Sequence, residues 1–172
     1  MSSISIPAIL CDLAAIFSKS GFSIYLVGGA VRDMLLRKIP GDFDIATNAT
    51  PEQVIGLFKH AIPTGIEHGT VTIHFKGSFF ECTTFRAEIG YADGRHPDRV
   101  EYAESIEEDL SRRDFCMNAI AASIPEGKLI DPYQGMKDIQ SGIIRTVGNP
   151  LERFTEDGLR PIRALRFSSQ LG

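Results

Sequence analysis

No stretch of this sequence approaches the ~18 consecutive apolar residues that a membrane-spanning helix needs, so no membrane association is expected. The first residues hold no basic region followed by a long apolar run, so a secretory leader is not expected either. Cysteine is scarce. Cys11, Cys82 and Cys116 are odd in number and far apart, which fits neither a disulfide framework nor a zinc site. A cytoplasmic, reducing setting is the simplest expectation. Internal repeats and low-complexity tracts are lacking, and no feature names a protein partner. Excess positive charge is lacking too: the formal net charge is -4, which does not advertise a nucleic-acid binder.

What is present is enough for one good-sized core and the start of a second unit: 172 residues, 43% of them hydrophobic. Charge is unevenly spread. From residue 145 onward there are five arginines against three acids, whereas the preceding part holds 13 basic and 19 acidic residues. An acidic front with a mildly basic tail suits a metal site joined to an RNA- or nucleotide-facing segment, but charge alone favours an ordinary solvated surface.

Apolar spacing predicts a helix over residues 7–20, stopped by Gly21. A strand at 23–27 runs into Gly28-Gly29, and a helix follows at 30–37. Residues 42–46 (DFDIA) alternate as a half-buried strand does. Thr50 then caps a helix with Pro51 at its first position, running to about Lys59. Two strands at 69–75 and 78–85 are joined by a Lys76-Gly77 hairpin. Residues 87–99 are polar, with Gly and Pro, and predict a loop. An amphipathic helix is predicted at 111–123, a strand at 129–130, a short helix at 136–141 and a strand at 143–147. Beyond Asn149-Pro150 the chain becomes arginine-rich helix. The mixture predicts an α+β fold with a small mixed sheet flanked by helices.

Chemistry centres first on Asp42 and Asp44. Two residues apart on a strand, they share a face while Phe43 and Ile45 point to the core. Paired carboxylates repel unless a cation lies between them, and Mg2+ takes such oxygens together with water and phosphates. Two such ions clamp the attacking and leaving oxygens of a phosphoryl transfer. A DxD alone is more often a solvent-facing strand edge. Gly28-Gly29 just upstream, between strand and helix, changes that reading. Glycine lets a backbone approach phosphate closely, and a helix start favours anions.

GGAVRD at 28–33 followed by DFDIAT at 42–47 resembles the opening of the class II CCA-adding enzymes and bacterial poly(A) polymerases, members of the polymerase-β-like nucleotidyltransferase superfamily. The resemblance continues in order through GIEHGTVT at 65–72, ECTTFR at 81–86, DLSRRDFCMNA at 109–119, DPYQGMKDI at 131–139 and EDGLRPIRALRF at 156–167. It implies that Asp42 and Asp44 ligate two Mg2+ ions. Glu81 is then either a third carboxylate or a strand-face glutamate that orients Arg86. Gly28, Gly29 and Arg32 are implied to shape the triphosphate site. Arg112, Arg113, Asp114 and Asn118 match the family's RRDFxxNA element, associated with the ribose and phosphates of the incoming nucleotide. On the predicted helix, Asp114 and Asn118 share a face.

Glu156, Asp157 and Arg160 match the EDxxR element, which in this family replaces a nucleic-acid template. An aspartate accepts from a base's exocyclic amine and an arginine donates to ring nitrogens or carbonyls. Cytosine and adenine carry that amine; uracil does not. An ordinary helical salt bridge is the plain alternative. Gly158 and Pro161 interrupt the element, and the proline predicts a kinked or delayed helix. The segment 87–97 matches the family's flexible element.

The resemblance thus implies a nucleotidyltransferase head at 1–147 and the beginning of a helical neck at 148–172, cut short. The implied reaction adds CMP and AMP from CTP and ATP to the tRNA 3′ end. Poly(A) addition, CC-only or A-only addition, and nucleotide or RNA binding without turnover remain the alternatives.

Overall fold

The computed structural model describes residues 3–89 and 99–171. Helix α1 (Ala8–Lys19) buries Leu10, Leu13, Ala14 and Phe17, the 3,4-spaced stripe that the sequence predicts. It leads into β1 (Ile24–Val27), then α2 (Gly29–Leu35) and β2 (Asp44–Thr47). Helix α3 (Pro51–Leu57) opens on a complete capping box: the Thr50 hydroxyl accepts from the Gln53 amide, and the Gln53 side chain accepts from the Thr50 amide. Strands β3 (Ala61–Gly65), β4 (Thr70–Phe75) and β5 (Ser78–Thr84) follow. The β4–β5 hairpin turns at Lys76 (φ 49°) and Gly77 (φ 82°), the two left-handed positions a tight hairpin requires.

Strands β6 (Arg86–Ile89) and β7 (Arg99–Tyr102) pair antiparallel in the stretch expected to be a loop. Most of the 87–97 segment lies outside the described residues. After α4 (Ile106–Ser111) come a 3-10 turn at Cys116–Asn118, β8 (Ala121–Ser123), β9 (Leu129–Ile130), α5 (Gly135–Ser141), α6 (Pro150–Glu156) and α7 (Leu159–Leu171). Among the described residues no helix is long and apolar enough to cross a membrane.

Seven strands form one mixed sheet in the order β3-β4-β5-β2-β1-β8-β9. Among the described residues of this sheet, β2 and β5 run parallel and the other pairs are antiparallel. A layer of α1, α2 and α3 residues, with Phe17, Val31 and Val54 at its centre, packs on one face against Leu26, Ile45, Ile73 and Phe80. A smaller cluster of Val27, Ala46, Phe85, Leu110 and Ala121 covers part of the other face.

Two expected elements do not form and one forms without being expected, each for a physical reason. The helix predicted over 111–123 is replaced by a turn, the 3-10 segment and β8. Every residue from Phe115 to Ala122 is buried, and an amphipathic surface helix cannot bury all of its sides. The strand predicted at 143–147 is not a sheet member. Its backbone serves the irregular 114–116 segment instead: the Cys116 amide donates to Arg145 O at 2.8 Å and the Val147 amide to Asp114 O at 3.2 Å. Edge strand β3 was not foreseen, because Pro63 argues against a strand and is tolerated only at an edge or a bulge.

Candidate active site

The site opens where β1 ends. Gly28 has φ 67° and ψ -134°, a conformation only glycine adopts without strain. A Cβ there would lie 3.0 Å from Arg113 Nη1 and 3.9 Å from Asp44 Oδ2. The missing side chain is therefore what lets an arginine and a carboxylate approach each other across the chain.

Asp44 begins β2 and is paired on both sides, with Val27 of β1 and with Glu81 of β5. Asp42 is not on the strand. It lies in the bend before it, so the strand-alternation argument does not hold for the pair. Asp42 and Asp44 nevertheless line the same cleft. Burial, then the Glu81 and Asp42 carboxylates, push the Asp44 carboxyl up to about 6, with Arg113 opposing them. Glu81 does not line the cleft but is the register neighbour of Asp44.

A wall of the cleft is organised by Asp109, which opens the DLSRRDFCMNA motif and to which the motif alone assigns no role. It is fully buried. Its Oδ1 accepts from Arg112 Nε and Nη2, both at 3.0 Å, and from the Arg86 amide at 3.3 Å; its Oδ2 accepts from Arg113 Nη2 at 3.2 Å. Burial alone would raise its carboxyl pKa, but the Arg112 and Arg113 guanidiniums outweigh this and hold it low. Arg112 and Arg113 sit in the turn after α4, so one buried carboxylate, rather than a helix, aims both.

Asp114 and Asn118 do not share a helix face either. The 3-10 turn still brings Asn118 Nδ2 within 3.2 Å of Asp114 Oδ1. Asn118 Oδ1 accepts from Arg32 Nη1 at 2.8 Å, and Asp114 Oδ2 accepts from Arg163 Nε at 2.7 Å. Arg32 is further held by Asp33. This chain of bonds runs from α2 to α7. Phe167 reinforces it: the Arg32, Arg163 and Arg166 guanidiniums lie 5.2, 5.7 and 4.9 Å from its ring centre, and the ring meets Phe115 edge-on. Arg163, Arg166 and Phe167 were not singled out from the sequence, though Arg163 and Phe167 follow Arg160 at the 3,4 spacing that places them on one helix face.

Asp157 lies between α6 and α7, with its Oδ1 accepting from the Leu159 amide at 2.8 Å. Asp157 and Arg160 are therefore not on one continuous helix, and the delay anticipated from Gly158 and Pro161 is observed. Pro161 falls in the first turn of α7, where a missing amide costs nothing. Both residues line the cleft. Glu156 does not: its Oε2 accepts from Arg160 Nη1 at 2.7 Å and Arg153 Nη1 at 2.9 Å. It holds Arg160 rather than facing a base.

The cleft encloses about 850 Å³ and is lined by Gly28, Gly29, Asp42, Asp44, seven arginines, Asp114, Asn118 and Asp157 among others. That volume accepts a nucleoside triphosphate-sized ligand, and arginine forks match phosphate oxygens.

A family model described as the poly A polymerase head domain matches residues 24–145. A CCA-adding enzyme of Ligilactobacillus salivarius is 52% identical over 153 residues, which is 89% of this chain and 38% of that protein. The crystal structure of the Bacillus stearothermophilus CCA-adding enzyme in complex with CTP matches with a TM-score of 0.84 at 44% identity, covering 93% of this chain and 38% of that one. A tRNA nucleotidyltransferase complexed with a primer tRNA and an incoming ATP analog matches with a TM-score of 0.74 at 34% identity, over 91% of this chain and 44% of that one. The chain thus spans well under half the length of these relatives.

Proposed function

The chain belongs to the poly A polymerase head-domain family, and on that premise we propose that it is the catalytic head of a template-independent nucleotidyltransferase that adds CMP and AMP to tRNA 3′ ends. Residues 1–147 form the head in this reading, and 148–172 the beginning of a helical neck. The observation that carries it is the shared cleft: Asp42 and Asp44 open into the same arginine-lined space as Asp157 and Arg160. The names of relatives and neighbours, CCA-adding enzyme with CTP and tRNA nucleotidyltransferase with primer tRNA and an ATP analog, favour CCA addition over poly(A) synthesis.

Gly28 and Gly29 allow the triphosphate to approach the backbone, and Arg32, Arg112 and Arg113 meet its oxygens. Asp157 accepts from the exocyclic amine of cytosine or adenine, while Arg160, held by Glu156 and Arg153, donates to the same base edge. Uracil offers no amine to Asp157. Asn118 braces Arg32, and Asp114 in turn holds Asn118.

Asp42 and Asp44 are the residues that would hold Mg2+. The donor set fits, because Asp44 is raised by burial and then by the Glu81 and Asp42 carboxylates, and a cation beside it would offset both the desolvation and the repulsion. An ion held by these two carboxylates would draw its remaining ligands from water and nucleotide phosphates. When bound, the metal supplies Lewis-acid polarisation of the reacting phosphate and neutralises charge on the pyrophosphate. The RNA 3′-hydroxyl attacks the α-phosphate and pyrophosphate leaves.

The test uses the natural full-length chain with tRNA lacking its 3′ CCA. Asp42→Ala and Asp44→Ala each abolish incorporation of labelled CMP and AMP. Normal activity in either variant refutes the metal assignment.

A further inference from the structure

Strand alternation gives β4 and β5 one buried face, with Val71, Ile73, Phe80 and Cys82, and one open face, with Thr72, His74, Phe79 and Glu81. The open face of a one-sided antiparallel pair is ordinarily polar. Here it carries Phe79, which is 65% exposed, stacked on His74 with ring centres 4.7 Å apart and planes at 25°. The His60 ring lies 6.1 Å from that of His74. Exposed Ile62 of β3 stands opposite Thr72. Beyond this cross-strand stacking, the described residues give the exposed π-surface and the aliphatic side chain no further task.

Its position gives it one. Asp44 pairs with Glu81, Glu81 with Thr72, and the next pair along the same face is His74 with Phe79. The aromatic pair therefore sits about 7 Å along β5 from Glu81, two residues at the ordinary strand rise. Asp44 has two flanks. On one are Gly28, following β1, and Arg113; on the other is β5. In phosphoryl transfer the attacking and leaving oxygens lie roughly in line on opposite sides of the phosphorus. With the triphosphate on the Gly28 and arginine flank, the attacking 3′-hydroxyl enters from the β5 flank, over the open face.

We propose that the exposed face carrying His74 and Phe79 is the acceptor platform, on which the terminal unpaired nucleotides of the RNA stack while their 3′-hydroxyl reaches Asp44. This rests on the nucleotidyltransferase reading above. Stacking suits the task, because the terminal base changes with each addition and every base offers a π-face. Hydrogen-bond readout at that point would favour one stage of growth over the others.

The experiment is steady-state kinetics of the natural full-length chain with tRNA lacking its CCA, varying RNA and CTP separately. Phe79→Ala raises KM for the RNA about five- to hundredfold, leaves KM for CTP within about twofold, and is rescued by Phe79→Tyr. His74→Ala acts in the same direction. Asp44→Asn, run alongside, is inactive. An unchanged RNA KM in Phe79→Ala, or an equal rise for RNA and CTP, overturns the platform and leaves the nucleotidyltransferase reading standing if Asp44→Asn is inactive. An active Asp44→Asn removes that reading and the platform with it.

Discussion

Asp109→Asn tests how the arginine wall is built. The side chain is 1% exposed and accepts from Arg112 and Arg113 and from the Arg86 amide. Asparagine keeps the shape and one acceptor, but removes the charge and turns an amide donor toward one of the guanidiniums. Breaking a buried ion pair at one partner costs about 3–5 kcal/mol. The lower end applies here, because Arg113 retains attraction from Asp44. A loss of about 3 kcal/mol is a large share of the ~5–15 kcal/mol that stabilises a domain. In urea, with a slope of roughly 2 kcal/mol/M, the midpoint falls by about 1.5 M. The sign of the pH dependence follows from the depressed carboxyl. Its folded pKa lies below the unfolded value of about 3.9, so the stabilisation is complete above that value and is lost as pH falls through the folded pKa. Wild type therefore weakens below about pH 4, and Asp109→Asn shows a flatter profile there. A urea-midpoint shift equivalent to less than about 1 kcal/mol, or identical acid profiles, refutes the reasoning.

Gly28→Ala forces a β-carbon into a left-handed position and against Arg113. It lowers stability by about 1–3 kcal/mol and weakens CTP and ATP binding, both measurable by thermal melting with and without nucleotide; unchanged binding contradicts the cradle. Glu156→Gln leaves stability within about 1 kcal/mol, since the carboxylate is partly solvated, but loosens Arg160. Burial opposes and the Arg160 and Arg153 hydrogen bonds outweigh it in holding the Glu156 carboxyl low. That anchor is therefore present at neutral pH and lost on acidification below the normal glutamate range. Increased UMP incorporation, about tenfold by charge-assisted hydrogen-bond strength, is the expected outcome, and unaltered base selection refutes the anchoring role.

Apart from the edge strand β3, the order of helices and strands up to β5 was legible because local signals agreed with the tertiary demand. The Thr50-Pro51 cap, the Lys76-Gly77 hairpin and the α1 stripe each specify their element without outside help. Legibility failed where burial is complete. Residues 115–122 look helical by composition, yet they thread the core as a turn and a strand, and only the surrounding contacts decide that. In the site, residue types were readable and their supports were not. Asp42 and Asp44 could be named from a two-residue spacing, although only Asp44 is on the strand. Asp157 and Arg160 could be paired by number, although a helix break separates them. Asp109 and Glu156 act on arginines rather than on a ligand, and a carboxylate beside an arginine in sequence carries no sign of which it faces.

What stands to be tested is whether one cleft joins a carboxylate pair to a protein-borne base reader. Sequencing the 3′ ends made by the natural full-length chain on tRNA lacking CCA, with CTP and ATP together, tests it directly. The expected ends finish in CCA and do not grow further. Homopolymeric A tails, ends containing U, or no added nucleotide would contradict it.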